Sequence, residues 1–300
     1  MDIGFVTNCL GETTIHDAVK VAVDLGFDCL EVGPSIGRDR EAFHAIQNNE
    51  RVYIHSFIYG RNFLSHLTKE RQVFRNEIYR LLDLAIDVGV RQITTSTGVD
   101  PDLSLDDNIK VAIEFWEPLF EQALDAGVRL ALEFCPAAGN FALGPYAWER
   151  LFAATERWPN FGLNYDPSHL LWQFIDPYTP IAEFSQYIFS VHIKDTIVWH
   201  DRLAKHGILT PYALVEETAH GTQESRATWW EYRLPGEGEL DLTRFLKNLN
   251  LIGYEGVLLL ENEDKGYVGS TELVVNGLQV GLDTIHSALQ STHKHNYHEK

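Results

Sequence analysis

Four stretches of the chain share one design. In VDLGFDCLEV (23–32), IDVGVRQITT (86–95), LDAGVRLALE (124–133) and NLIGYEGVLLL (250–260), a helical stretch ends in glycine and a β-rich run follows. Glycine suits the left-handed position that closes a helix, and a branched apolar run behind it favours a strand. The helix before the second of these glycines shows its period in Ile78, Leu81, Leu82, Ala85 and Ile86.

Extending this pattern predicts strands near 2–7, 29–34, 52–59, 92–97, 129–134, 161–166, 188–194 and 256–262. Helices are predicted over 13–25, 39–48, 68–88, 107–126, 145–156, 177–187, 241–252 and 271–290. Most strand runs are apolar without clean alternation, as strands covered on both faces are. Eight such units predict an α/β fold, a single-domain (β/α)8 TIM barrel over 1–290. A doubly wound open sheet is the competitor, but it does not usually need eight such regular units. One connection breaks the rhythm. Residues 197–240, with Trp199, His200, Trp229, Trp230 and the turn-like LPGEGEL, read as a lid-like insertion that folds over the rim and shapes substrate choice. Their aromatic content argues against disorder. The end, STHKHNYHEK (291–300), reads as a flexible tail whose histidines are solvated rather than metal-binding.

Composition narrows the function. With 45% hydrophobic residues in 300, the chain can bury a large core. Its 43 acidic against 24 basic side chains leave a net charge of −19, which repels phosphate backbones, so no nucleic-acid partner is expected. The longest apolar stretches are strand-sized, so no membrane span is expected. The start, MDIGFVTNCLGETT, has no basic segment followed by a long apolar one, and no secretory signal is expected. Cys9, Cys29 and Cys135 form no CxxC pair, which fits small core residues in a reducing cytoplasm.

The strand ends carry the candidate chemistry. Strand five ends LALEF with Glu133, strand six NYD with Asp166, strand seven carries SVHIKD with His192, and strand eight ends LLLEN with Glu261. In a barrel these ends are neighbours on the rim where active sites of this fold sit. Three converging carboxylates repel one another, and a divalent cation removes the conflict. Three carboxylates and an imidazole suit Mn²⁺ first, with Mg²⁺, Co²⁺ or Zn²⁺ as alternatives.

The order LEF…NYDPSH…VHIKD…LEN resembles the xylose-isomerase-like barrel superfamily of sugar phosphate isomerases and epimerases, inosose dehydratases and endonuclease IV. The spacing Glu133–Asp166–His192, 33 then 26 residues, is similar to that of ketose 3-epimerases. GFDCLEV near the start and GYEGVLLLENED near the end extend the resemblance over essentially the whole chain. It implies that Glu133, Asp166, His192 and Glu261 bind the metal, that Glu133 and Glu261 also shuttle a proton, and that His169 contacts the sugar. Members of the superfamily often pair as homo-oligomers through helices and loops on the barrel's active face, and the sequence leaves the oligomeric state open. Two positions depart from the epimerases: Gly139 replaces a sugar-contacting glutamate and Val198 an arginine. The interval from His192 to Glu261 is also longer than in those enzymes. These departures weigh against simple ketose 3-epimerisation and leave the metal site intact.

The expected activity is a metal-dependent isomerase or epimerase acting on a small sugar or polyol. The ion would polarise a carbonyl, acidify the neighbouring C–H and hold the enediolate, while a carboxylate takes the proton. Expelling a β-hydroxyl instead would make the protein a dehydratase with the same four ligands. Further candidates for substrate contact are Lys194, on the same side of its strand as His192, together with His55, Glu31, Trp229 and Trp230. Each has a plainer alternative: a solvent-reaching lysine, a core histidine, a glutamate paired with a cation, and tryptophans that anchor the insertion. GPSIG (33–37) matches a serine-hydrolase nucleophile elbow, but it follows only two strands and leaves the acidic rim unexplained. Endonuclease IV needs a larger ligand set and a surface tolerant of DNA. A barrel that has lost activity and serves as a subunit is the non-enzyme reading.

Overall fold

Eight parallel strands close on themselves in the order of the chain. They run Ile3–Val6, Cys29–Val32, Tyr53–Tyr59, Gln92–Thr95, Arg129–Leu132, Phe161–Tyr165, Ile188–Ile193 and Val257–Leu260, the first pairing with both the second and the last. The computed structural model describes residues 1–47, 51–136, 139–208, 216–217, 223–224 and 229–295. The predicted (β/α)8 barrel is therefore the fold. Each glycine of the repeated pattern has positive φ: Gly26 at 88°, Gly89 at 79°, Gly127 at 67° and Gly253 at 70°. Helices Ile15–Leu25 and Thr68–Val88 end on the first two of these, whose amides donate to Ala22 and Ala85 carbonyls.

The strands alternate after all, but in an order that their burial disguises. Leu30, Ile93, Leu130, Leu132, Leu163, Tyr165, Val191, Ile193, Leu258 and Leu260 belong to the large apolar core packed between barrel and helices. Residues between them point into the lumen. Gln92 on strand four donates to Ser190 on strand seven (2.7 Å), and Ser190 donates to Asn164 on strand six (2.7 Å). Above that layer the polar side chains become charged. Both sets are buried, so the apolar half dominates the visible pattern. Burying each outward Leu or Ile contributes about 1.5–3 kcal/mol.

Two segments differ from expectation. The helix expected over 177–187 is a helix at Thr179–Glu183 followed by a 3-10 turn at Ser185–Tyr187. Ahead of it lies an additional short helix, Pro167–Leu171. Pro167 occupies its first turn, and Asp166 caps it by accepting a hydrogen bond from the Ser168 amide (2.8 Å). The strand-ending aspartate thus performs a turn role with one oxygen and leaves the other for the barrel mouth.

Past strand seven the chain does not become a plain loop. Asp195–Val198 continues as an outer strand and pairs antiparallel with Trp230–Arg233, and a helix spans His200–His206 between them. Much of the 197–240 insertion lies outside the described residues, as do 296–300 of the tail; the last helix runs Thr271–His295. Among the described residues, no helix is long and apolar enough to cross a membrane.

Three amides of the returning LPGEGEL turn converge on one carboxylate. Fully buried Asp195 accepts hydrogen bonds from the amides of Gly236 (3.1 Å), Gly238 (3.0 Å) and Leu240 (2.9 Å). A Cβ on Gly238 would lie 2.3 Å from Asp195 Oδ1 and 2.5 Å from the Thr196 carbonyl oxygen, so the turn approaches closely only because residue 238 has no side chain. Removing the carboxylate strands several amides at once. Asp195→Ala is expected to cost about 2–4 kcal/mol, read as a lowered denaturant midpoint with secondary structure retained before the transition. An unchanged midpoint would show that the turn is held by other contacts.

Candidate metal centre at the barrel mouth

Glu133, Asp166 and Glu261 each stand one residue beyond a barrel strand, and His192 is the fifth residue of strand seven. Consecutive parallel strands bring these positions to one rim. One donor atom from each of the four lies within 4.8 Å of the other three. The approach is centred on His192 Nδ1, which is 3.3 Å from Glu133 Oε1 and 3.3 Å from Glu261 Oε2.

Two of these buried atoms have no hydrogen-bond partner: His192 Nδ1 and Asp166 Oδ2. The neighbouring charges lie at ion-pair distance but outside hydrogen-bond geometry. A buried donor or acceptor without a partner is costly, and two that converge with two carboxylates fit a cation at their common centre. The donor set, three carboxylates and one imidazole without thiolate, is that of a hard or borderline divalent ion.

The other nitrogen of His192 explains why the imidazole holds this orientation. Nε2 lies 2.6 Å from Glu31 Oε1, and Glu31 in turn accepts hydrogen bonds from Ser56 and Thr94 hydroxyls. All four side chains are fully buried. Glu31 therefore lies beneath His192 rather than in the cleft. With Nε2–H donated to Glu31, Nδ1 is the nitrogen left to face an ion.

Charge compensation is local. Burial opposes the ionisation of Glu133, yet hydrogen bonds and charge from His169 and His192 hold its carboxyl well below the usual range. Burial likewise opposes ionisation of Glu261, but Lys194 and His192 bring it down to about 2. Lys194 is almost fully buried, with Nζ 2.5 Å from Glu261, 2.7 Å from Glu263 and 3.3 Å from Asp166. It faces the site, as its spacing from His192 implied, and does not reach solvent. Burial would discharge this ammonium, but the surrounding carboxylates raise its pKa well above the ordinary value.

His169, on the short helix after strand six, points its Nε2 at Asp166 Oδ2 (3.3 Å) and Glu133 Oε1 (3.4 Å). Its Nδ1 is 2.9 Å from the hydroxyl of Tyr232. Tyr232 also places its ring 4.2 Å from Lys194 Nζ. Sequence reasoning missed Tyr232 and Glu263. The first belongs to an insertion that has no barrel rhythm; the second lies two residues beyond Glu261, a same-side spacing that was available.

The remaining candidates have other surroundings. Trp230 stacks on Trp172 (4.6 Å between centroids) and Trp229 on Phe174 (5.8 Å), so both clamp the insertion to the segment after strand six. His55 packs edge-on against Tyr53 near the start of strand three, and its buried Nε2 has no partner. It does not line the cleft of about 300 Å³ that Asn8, Arg61, Glu133, Cys135, Lys194, Glu261 and Glu263 enclose. Ser35 of GPSIG is buried at Oγ with no hydrogen-bond partner, so no base activates it among the described residues.

Two substitutions separate ligand from support. His192→Ala should abolish tight divalent-ion binding without unfolding the barrel, as measured by metal content and circular dichroism. Glu31→Gln keeps the shape beneath His192 but weakens its orientation, and metal affinity should fall about 10–100-fold. Unchanged affinity in Glu31→Gln would remove the positioning role.

Comparison with known proteins agrees with this architecture. The family model described as xylose isomerase-like TIM barrel matches residues 19–281. An uncharacterized protein of Bacillus subtilis (strain 168), YfiH, is 27% identical, with 88% of this chain and 93% of that protein covered. A D-psicose 3-epimerase from Clostridium cellulolyticum H10, solved with D-tagatose, superposes with a TM-score of 0.71 at 15% identity, covering 96% of this chain and 99% of its own. The IOLI protein, solved with a bound zinc atom, gives a TM-score of 0.71 at 15% identity over 97% of this chain and 98% of its own. At such identities the structural likeness shows the fold. The family match spans most of the sequence, and the chain belongs to the xylose isomerase-like TIM barrel family.

Proposed function

We propose that the protein is a divalent-metal-dependent isomerase or epimerase acting on a sugar or polyol that carries a carbonyl next to a hydroxyl-bearing carbon. The observation that carries this reading is the convergence of four donor atoms within 4.8 Å, with Glu133 and Glu261 on two sides of His192 Nδ1. Glu133, Asp166, His192 and Glu261 would hold one ion, Mn²⁺ by preference among Mn²⁺, Mg²⁺, Co²⁺ and Zn²⁺. When bound, the ion would supply Lewis acidity to the substrate carbonyl and so acidify the neighbouring C–H.

The protein's own groups do the rest. Glu133 and Glu261 come from strands separated by those of the other two ligands, so a substrate between them presents different faces to each. One carboxylate takes the carbon-bound proton; the other, once protonated, returns a proton to the opposite face or to the next carbon. Asp166 is occupied by its cap and by its place among the ligands, and serves as a holder. His169, fixed by Tyr232, is positioned to donate to a substrate oxygen. The three unpaired cysteines are consistent with a cytoplasmic enzyme.

A second reading uses the same first step. Lys194 Nζ, buried beside Glu261, is a proton donor suited to a departing β-hydroxyl, which would make the reaction a dehydration. Incubating Mn²⁺-loaded protein with ketoses, aldoses, inososes and their phosphates in deuterated water distinguishes the outcomes. Deuterium gained at carbon without change of formula marks isomerisation or epimerisation, and loss of water marks the lyase. A folded protein that binds no divalent ion would instead favour the inactive-subunit reading.

The proton shuttle makes its own prediction. Glutamine can still coordinate through its carbonyl but accepts no proton at neutral pH. Glu133→Gln and Glu261→Gln should each retain measurable metal while losing at least ~10²-fold in turnover. Near-normal turnover in both metal-loaded variants would rule out a two-carboxylate mechanism.

A further inference from the structure

The cleft over the metal centre contains one cation that the site does not use. Arg61, just beyond strand three, lines the same cavity as Glu133, Lys194 and Glu261. Elsewhere in this acidic chain several arginines find carboxylates, among them Arg38 with Glu77, Arg40 with Asp87, Arg157 with Glu117 and Arg233 with Asp264, whereas Arg75 and Arg129 lie over aromatic rings as Arg61 does. Arg61 has no carboxylate within ion-pair distance among the described residues. Lys194, the other cation of the cleft, is already committed to Asp166, Glu261 and Glu263.

The position of Arg61 is nevertheless well held. Its amide donates to Ser96 Oγ (2.8 Å), and that hydroxyl donates back to the Arg61 carbonyl (2.7 Å), which pins the backbone to the end of strand four. The guanidinium lies 4.8 Å over the Tyr59 ring, and Nη1 donates to the Gly60 carbonyl (2.6 Å). A guanidinium has five N–H donors. The ring and one carbonyl fix its plane while leaving most donors unengaged. A rigidly displayed, uncompensated guanidinium is suited to bidentate recognition of an oxyanion.

We infer that Arg61 is the anion-recognition residue of this cleft, and that the substrate is a sugar derivative carrying a carboxylate or phosphate at the end remote from the metal-facing carbons. The inference rests on the sugar reading given above and adds the charge of the substrate. Carbonyl and hydroxyl oxygens would face the ligand cluster while the acid group spans the cleft to Arg61. The other charged residues lining the cleft are Glu133, Glu261, Glu263 and the already paired Lys194, so the Arg61 charge offsets the repulsion an anionic substrate would meet.

Direct binding tests this independently of turnover. D-glucuronate, D-ribulose 5-phosphate and neutral D-fructose are titrated calorimetrically into Mn²⁺-loaded wild type, Arg61→Gln and Arg61→Lys. At least one anion should bind wild type more tightly than fructose by ~10- to 10²-fold, the range of one charge-assisted contact. Which anion shows the margin tells carboxylate from phosphate. Arg61→Gln should lose that margin and Arg61→Lys should recover part of it, with both variants melting as wild type does because the side chain is exposed. Absence of Arg61-dependent binding of either anion overturns the inference, whatever fructose does. Metal-dependent C–H exchange on neutral sugars alone would then leave the isomerase reading standing, whereas a failure of all exchange would remove that reading separately.

Discussion

Buried carboxylates of one sign, brought together at one end of a barrel, must be compensated where they stand. Glu133, Asp166 and Glu261 are nearly inaccessible to water, as is Glu31 beneath them. Solvent cannot screen this cluster, so each oxygen needs an imidazole, an ammonium, a hydroxyl, an amide or a metal ion. The surrounding design follows from that constraint. Ser56 and Thr94 satisfy Glu31, Glu31 orients His192, and Lys194 spans three carboxylates. What these partners leave open is the centre itself, where His192 Nδ1 and Asp166 Oδ2 meet no hydrogen-bonding group.

The lumen beneath supports this arrangement. Gln92, Asn164 and Ser190 form a hydrogen-bonded layer across strands four, six and seven. This layer of neutral amides and hydroxyls gives the charged layer a polar floor without adding net charge. Most apolar contacts that stabilise the fold lie outside the barrel, between strands and helices, and a smaller cluster joins Val6, Cys29, Ile58, Val257 and Leu259 on the alternate strand positions. The larger apolar core and the candidate chemistry therefore use opposite faces of the same strands.

The insertion after strand seven joins the two. Asp195 gathers the amides of the LPGEGEL turn, Trp230 stacks on Trp172, and Tyr232 reaches His169 from the outer ribbon. The strand that carries His192 and Lys194 thus continues directly into the element that supplies Tyr232, through pairing of Thr196 with Tyr232. Contacts made for packing hold a side chain against the site. The ribbon meets the short helix of His169 through the Tyr232–His169 hydrogen bond and through Thr196, which donates to the Ser168 carbonyl.

Local chemistry was sufficient for much of this to be read from the chain alone. Helix–glycine–strand punctuation depends on backbone preference, which is a property of a few adjacent residues; it marked four of the eight barrel strands and set the rhythm for the rest. Glu133, Asp166, His192 and Glu261 were legible because a parallel barrel converts four strand ends into neighbours, so position along the strand already implies position in space. The inward and outward alternation was not legible, since both faces are buried and polarity alone does not say which faces the lumen. Nor were the split helix after Asp166, the outer ribbon, the place of His55 away from the cleft, or the Glu31–His192 contact. Glu31 and His192 are 161 residues apart, and which nitrogen meets which oxygen depends on lumen packing across the barrel. Tyr232 reaches His169 only after the insertion folds back on strand seven. Sequence determined which groups arrive at the rim, because strand periodicity is local; tertiary structure decided how they are paired, because buried charges choose partners by distance in space.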